Sequence, residues 1–129
     1  MGLRVRDVMI RDVVTIDGAA PLLDGLELMM KRSVKSLVIP PKSDGDAFGI
    51  LTFTDIARKV IAADERLEML NIFDVMTKPC ITVAESLEIR FAARMMTSLG
   101  LSRLIVTDGK TLQGIVSMTD LVRSLVRKK

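Results

Sequence analysis

The chain has 129 residues, 49% of them hydrophobic and 27% charged, with a formal net charge of +3; that is the size and balance of a globular domain and excludes a disordered or fibrous chain. It has no histidine and one cysteine, Cys80. The commonest general base, an intrachain disulfide and a cysteine-based zinc site are therefore excluded. There is no Trp or Tyr, so the core must be aliphatic, with nine Met helping to fill it. Cys80 lies in the apolar run Cys80-Ile81-Thr82-Val83 and is expected to be a buried structural thiol. No apolar run is long enough to cross a bilayer, and the N-terminus has no signal-peptide pattern, so a soluble cytoplasmic protein is expected.

In chain order, Asp7-Val8-Met9 opens the sequence. Val13-Val14-Thr15-Ile16 is β-branched and too short for a helix, which predicts an extended piece. Pro21 suits a first helical turn, and Leu22, Leu26, Met29 and Met30 form the apolar stripe of the helix it starts. Leu37-Val38-Ile39 and Phe48-Gly49-Ile50-Leu51 read as a hairpin across a turn-rich loop that begins at Pro40-Pro41. A second helix is expected to open at Thr54 as N-cap, with Asp55 in its first turn. The segment Ala62–Leu70 reads as a bridging helix.

The same elements then return. Asp74-Val75-Met76 and Cys80-Ile81-Thr82-Val83 are followed by a helix whose stripe is Ile89, Ala92, Ala93, Met96 and Leu99, stopped by Gly100. Leu104-Ile105-Val106 and Leu112–Val116 form a second hairpin. Thr119 and Asp120 open a last helix, with Leu121, Val122, Leu125 and Val126 as its apolar face. The two copies align at an offset of 67 residues from Asp7-Val8-Met9 to Leu37-Val38-Ile39, and at 65 from Gly49-Ile50 onward. The slip falls in the turn-rich loop, where length differences are tolerated. The expected organisation is a first repeat over 1–62, a helical linker over 63–71 and a second repeat over 72–129. A unit of about 60 residues buries little surface alone, so the copies are expected to pack through their sheets with pseudo-twofold symmetry.

The repeated strings Gly49-Ile50-Leu51-Thr52-Phe53-Thr54-Asp55 and Gly114-Ile115-Val116-Ser117-Met118-Thr119-Asp120 close the two copies. Together with the Asp-Val-Met openings and the hydrophobic-Thr-hydrophobic pieces, they make the chain resemble a tandem pair of cystathionine β-synthase (CBS) domains, a Bateman module. The resemblance spans essentially the whole chain. It implies an α+β fold of two β-α-β-β-α repeats with two clefts between them. It also implies adenosine-containing ligands such as AMP, ADP or ATP, ahead of S-adenosylmethionine or NAD. Such modules pair into disc-like homodimers and regulate an enzyme, transporter or channel, here a separate one. Two departures stand out. The Pro-Val pair common in the middle strand is replaced by Leu37-Val38 and Leu104-Ile105. The acidic residue after that strand is present as Asp108, whereas the first copy has Pro40-Pro41.

The residue types suit a nucleotide. A carboxylate at a helix start can accept two hydrogen bonds from ribose hydroxyls, as acidic residues do in dinucleotide-binding folds; Asp55 and Asp120 are the candidates. Thr52 and Ser117, three residues earlier, with the unpaired N–H groups of the helix start, can hold a phosphate. Thr54 and Thr119 flank the carboxylates. Arg58 and Arg123 lie one helical turn on and can reach a phosphate tail. Lys35 and Arg103, at or just before the middle strand, are further cations. Thr15 and Thr82 would line the adenine pocket. Gly49 and Gly114 allow close approach to their strands. Thr54-Asp55 and Thr119-Asp120 would also serve as plain helix starts without any ligand.

Two alternatives accompany this reading: a ligand-independent dimerisation scaffold, and nucleic-acid binding through the basic end at Arg123, Arg127, Lys128 and Lys129. Those cations also suit the negative end of a helix dipole, and no aromatic residues are interleaved to stack on bases. No nucleophile–base pair or metal cluster can be drawn from the spacing, so an enzyme is not expected.

Overall fold

The computed structural model describes residues 2–127; Lys128, Lys129 and the side chain of Arg127, part of the basic end, lie outside the described residues. The elements run α1 (Val5–Val8), α2 (Leu22–Arg32), β1 (Ser36–Ile39), β2 (Gly49–Thr52), α3 (Phe53–Ile56), α4 (Ile72–Val75), β3 (Thr82–Val83), α5 (Ile89–Leu99), β4 (Arg103–Thr107), β5 (Leu112–Ser117) and α6 (Met118–Arg127). A π-helical turn, Ala57–Ile61, continues α3, and a 3-10 turn covers Leu67–Met69.

These elements form two compact units, one of Val14–Cys80 and the other of Met1–Val13 with Ile81–Lys129. The division crosses the sequence copies. The opening of the first copy belongs with the body of the second, and α4, from the opening of the second copy, belongs with the body of the first.

In the unit Val14–Cys80, β1 and β2 pair antiparallel from Ser36↔Thr52 to Ile39↔Gly49. The expected extended piece is reduced to one parallel bridge, Thr15↔Val38. The core gathers Leu22, Met29, Leu37, Leu51, Ile72 and Val75. In the other unit β3, β4 and β5 form a three-stranded sheet, with β3 parallel to β4 and β4 antiparallel to β5. Its core gathers Val5, Val8, Met96, Leu104, Val116 and Leu121. The valines and isoleucine of the opening segments are thus core residues. Their aspartates turn the chain into the short helices: Asp7 Oδ2 accepts from the Arg4 N–H at 2.7 Å, and Asp74 Oδ2 from the Asn71 N–H at 2.8 Å.

The helices α2 and α5 occupy their expected places, and each ends in the left-handed conformation, at Ser33 (φ 54°) and Gly100 (φ 67°). Pro21 is the N-cap of α2 rather than its first turn. The stripes are narrower than expected. Leu22, Met29, Ala92 and Met96 are buried, but Met30 and Leu99 face out. On α6 only Leu121 of the expected apolar face is buried; Val122, Leu125 and Val126 are exposed, the last two at 74%. Ser124 takes the inward position and donates to the Leu121 carbonyl at 2.6 Å.

The bridging helix over Ala62–Leu70 is not formed. The helical path ends where Asp64 adopts φ 55°, and the chain then tightens into the 3-10 turn so that Leu67 and Leu70 can pack against the core. Tertiary packing overrides the helical propensity of this segment. Cys80 is half-buried rather than buried; its N–H donates to the Phe48 carbonyl at 2.9 Å.

Each opening segment reaches a glycine-bearing strand. Ile10 and Ile115 exchange two backbone hydrogen bonds at 2.9 Å, and Thr77 and Ile50 exchange two at 2.8 and 3.0 Å. A Cβ on Gly114 would meet the Ile10 carbonyl oxygen and Met9 Sδ, both at 2.8 Å; one on Gly49 would meet Met76 Sδ at 3.0 Å. The close approach expected at these glycines is therefore made by the chain's own opening segments. Because a carbonyl in a backbone exchange cannot move aside as a thioether can, Gly114→Ala should destabilise by about 1–3 kcal/mol, the usual cost of overpacking. Gly49→Ala should cost less. Urea unfolding of the two variants checks the order, and equal midpoints would contradict it.

Candidate ligand site

Each site starts where a strand runs into a helix. Thr52 ends β2 with an extended backbone (φ −123°, ψ 165°) and caps α3. Its hydroxyl accepts the Asp55 N–H at 3.2 Å, while Asp55 Oδ2 accepts the Thr52 N–H and hydroxyl, each at 3.0 Å. Ser117 and Asp120 repeat the arrangement at the start of α6. The Asp120 N–H donates to Ser117 Oγ at 3.1 Å, and Asp120 Oδ2 accepts the Ser117 N–H at 2.8 Å and hydroxyl at 2.9 Å. This is a reciprocal capping box with Asp in the place usually held by Glu. Both carboxylates are buried, Asp55 4% and Asp120 9% exposed.

The N-caps are therefore Thr52 and Ser117, not Thr54 and Thr119. Thr54 and Thr119 are exposed in the first turn and make no side-chain hydrogen bond among the described residues. A hydroxyl next to an aspartate mimics a cap in sequence. The extended backbone needed for capping occurs one step before the helix, two residues earlier.

Guanidinium groups flank both carboxylates. Arg58 Nη2 donates to Asp55 Oδ1 at 3.3 Å, and Arg123 Nη1 lies 3.6 Å from Asp120 Oδ1. Arg103 faces Ser117 in the β4–β5 register. Burial lowers the pKa of Arg103 from the usual arginine value, and the Asp120 carboxylate opposes that shift; an arginine remains charged across the ordinary pH range. The structure thus brings together Thr52, Asp55 and Arg58 in one unit, and Arg103, Ser117, Asp120 and Arg123 in the other. Thr15 and Thr82 are exposed and sit across β1 and β4 from these strand ends, paired with Val38 and Ile105. Lys35 is exposed just before β1.

Thr77 was not among the expected residues. Its hydroxyl donates to Asp55 Oδ1 at 2.9 Å. The only sequence signal was its place after Asp74-Val75-Met76, where the first copy has Ile10. Asp108 is a turn residue: its Oδ1 accepts the N–H groups of Thr111 at 2.8 Å and Lys110 at 3.0 Å. Those two bonds, Thr111 first, hold its carboxyl below the usual value. A cleft of about 500 Å³ bordered by Arg4, Glu88, Arg90 and Ser124 also lies in the unit that holds Asp120, but none of the expected site residues lines it. Among the described residues there is no cluster of His, Cys, Asp or Glu able to hold a metal ion, and no helix is long and apolar enough to cross a membrane.

Two α+β copies, each ending a glycine-bearing strand in a hydroxyl–carboxylate capping box, define a tandem-repeat module. The chain belongs to the CBS domain family, whose model matches residues 5–62 and 72–127. It is 32% identical over 92% of its length to an uncharacterized protein of Methanopyrus kandleri, of which it spans 61%. Among solved structures it is similar to a hexameric CBS-CP12 protein from bloom-forming cyanobacteria (TM-score 0.89, 34% identity, 93% of this chain and 69% of that one). It shares its fold with a CBS domain pair in complex with 5′-methylthioadenosine and S-adenosyl-L-methionine (TM-score 0.84, 24% identity, all of both chains). The same holds for CBSX2 in complex with AMP (TM-score 0.80, 24% identity, 99% of both chains).

The capping assignment separates neighbouring residues. Thr52→Ala and Ser117→Ala should each cost about 1 kcal/mol, as lost caps do. Thr54→Ala and Thr119→Ala should stay within about 0.5 kcal/mol, as surface substitutions do. Thermal unfolding of the four variants distinguishes the pairs, and a reversed order would refute the assignment.

Proposed function

We propose that the chain is a regulatory module that binds an adenosine-containing nucleotide, AMP, ADP or ATP ahead of S-adenosylmethionine or NAD, and passes its occupancy to a separate protein. The observation that carries this reading is the buried carboxylate at the end of a glycine-bearing strand, with a hydroxyl three residues before it and arginines beside it. A carboxylate accepts the two hydroxyls of a ribose, and guanidinium groups take a phosphate. The adenosine ligands of the CBS pairs named above support the choice of ligand. We read the site as binding rather than catalytic, because each hydroxyl and the carboxylate oxygen it meets are already engaged in the capping bonds of the helix start.

Calorimetric titration with AMP, ADP, ATP, S-adenosylmethionine and NAD is the test. At least one should bind saturably below millimolar concentration. Asp55→Asn combined with Asp120→Asn should weaken that ligand about tenfold or more, the effect of losing a hydrogen bond to a charged group. Silence from all five ligands at millimolar concentration would sink the proposal.

A homodimer is the second part of the reading. Val122, Leu125 and Val126 leave apolar side chains exposed within little more than one turn of α6, and exposed apolar patches mark interaction sites. The hexameric cyanobacterial relative supports self-association. Leu125→Glu with Val126→Glu should reduce the native mass to that of one chain by light scattering without loss of helical circular dichroism. An unchanged oligomer would exclude this face as the interface.

A further inference from the structure

The two copies place the same carboxylate in different company. A carboxylate has two oxygens and about four acceptor positions. Asp55 uses all of them: Oδ2 takes the Thr52 N–H and hydroxyl, and Oδ1 takes the Thr77 hydroxyl at 2.9 Å and Arg58 at 3.3 Å. Asp120 Oδ2 is occupied in the same way by Ser117. Its Oδ1 accepts no hydrogen bond from the described residues, and the Arg123 guanidinium stands off at 3.6 Å. No fully buried side-chain oxygen or nitrogen lacks a partner among the described residues, so this oxygen is not sealed from solvent.

The cause is one position. Thr77 follows Asp74-Val75-Met76 and makes the double backbone exchange with Ile50; Ile10 follows Asp7-Val8-Met9 and makes the same exchange with Ile115. The backbones are placed alike, but the isoleucine side chain has no proton to donate. A second difference reinforces the first. Arg103 faces Ser117 across the strands, where the other unit has Ser36 facing Thr52. Asp120 is therefore flanked by two arginines and keeps an open oxygen, whereas Asp55 has one arginine, already bonded to it.

We propose that the Asp120 carboxylate alone takes the nucleotide's ribose, through Oδ1, and that Thr77 holds Asp55 closed as a structural pin, so that each chain binds one nucleotide. This rests on the nucleotide reading above and goes further by assigning the site and the residue pair, Ile10 and Thr77, that sets the difference. A ligand at Asp55 would have to displace the Thr77 hydroxyl and Arg58 before its own hydroxyls could bind. A ligand at Asp120 displaces neither.

The test counts AMP and ATP bound per chain by equilibrium dialysis and calorimetry on the intact protein. The wild type should bind one, and Asp120→Asn should weaken it tenfold or more. Ile10→Thr should also weaken it about tenfold by closing Oδ1. Thr77→Val, which keeps the shape and removes the donor, should raise the count to two. Circular dichroism confirms that each variant is folded. Two ligands per chain in the wild type, a count of one in Thr77→Val, or an Ile10→Thr variant that binds as tightly as the wild type would each overturn the assignment and leave the nucleotide reading standing. No binding by the wild type would remove both.

Discussion

The double backbone exchange between an opening segment and a glycine-bearing strand is the contact on which the rest of each unit depends. It sets Met9–Ile10 on Gly114-Ile115 and Met76–Thr77 on Gly49-Ile50. It puts Val5 and Val8 into one core, and Ile72 and Val75 into the other. It also fixes which residue stands beside the buried carboxylate at the strand's far end. The glycine is required because a carbonyl and a methionine sulfur occupy the space where a side chain would be. The repeated Asp-Val-Met is required because valine must pack, aspartate must turn the chain into a short helix, and the residue after methionine must pair. Two strings far apart in sequence are thus the two halves of one contact.

Capping and ligand binding are often set against each other as explanations of a Thr/Ser-x-x-Asp motif. In the proposed site they fall on different oxygens of one side chain. Oδ2 satisfies the strand-end N–H and hydroxyl in both copies, which orients the carboxylate and stabilises the helix start. Oδ1 is then aimed by that arrangement without being consumed by it. A site built in this way is preorganised, because the capping bonds hold the acceptor still before any ligand arrives and reduce the ordering cost of binding.

How much of this was legible in the sequence follows from the range of each interaction. The place and end of helix α5 could be read, because its apolar spacing and its terminal Gly100 are local signals, although Leu99 of the expected stripe faces out. The hairpins and their strand pairing could be read for the same reason. Composition puts the caps two residues late, since Thr54-Asp55 and Thr119-Asp120 look like a helix start while the extended backbone lies at Thr52 and Ser117. The segment after Ile61 carries helical residues, yet Asp64 turns the chain so that Leu67 and Leu70 reach the core, a demand made by tertiary structure. The outward side of α6 is as apolar as a buried face, and periodicity alone cannot tell one from the other. Thr77 was invisible as a site residue because its partner, Asp55, is 22 positions away and on another element. Only the comparison of aligned copies, threonine in one and isoleucine in the other, carried a trace of it.

Duplication makes such divergence inexpensive. Either copy needs the capping box and the backbone exchange to fold, and neither depends on whether the residue after methionine has a hydroxyl. Threonine there adds one hydrogen bond to a buried carboxylate, and bonds to charged groups contribute about 1.5–3 kcal/mol. A competing ribose must exceed that contribution, which corresponds to roughly 10- to 150-fold in affinity. Isoleucine at the same position forgoes the bond and leaves the acceptor open, while Arg103 adds positive charge near Asp120 that offsets the burial of its negative charge. Under the one-site proposal, a single hydroxyl, present in one copy and absent in the other, makes one carboxylate scaffold and leaves the other as the receptor.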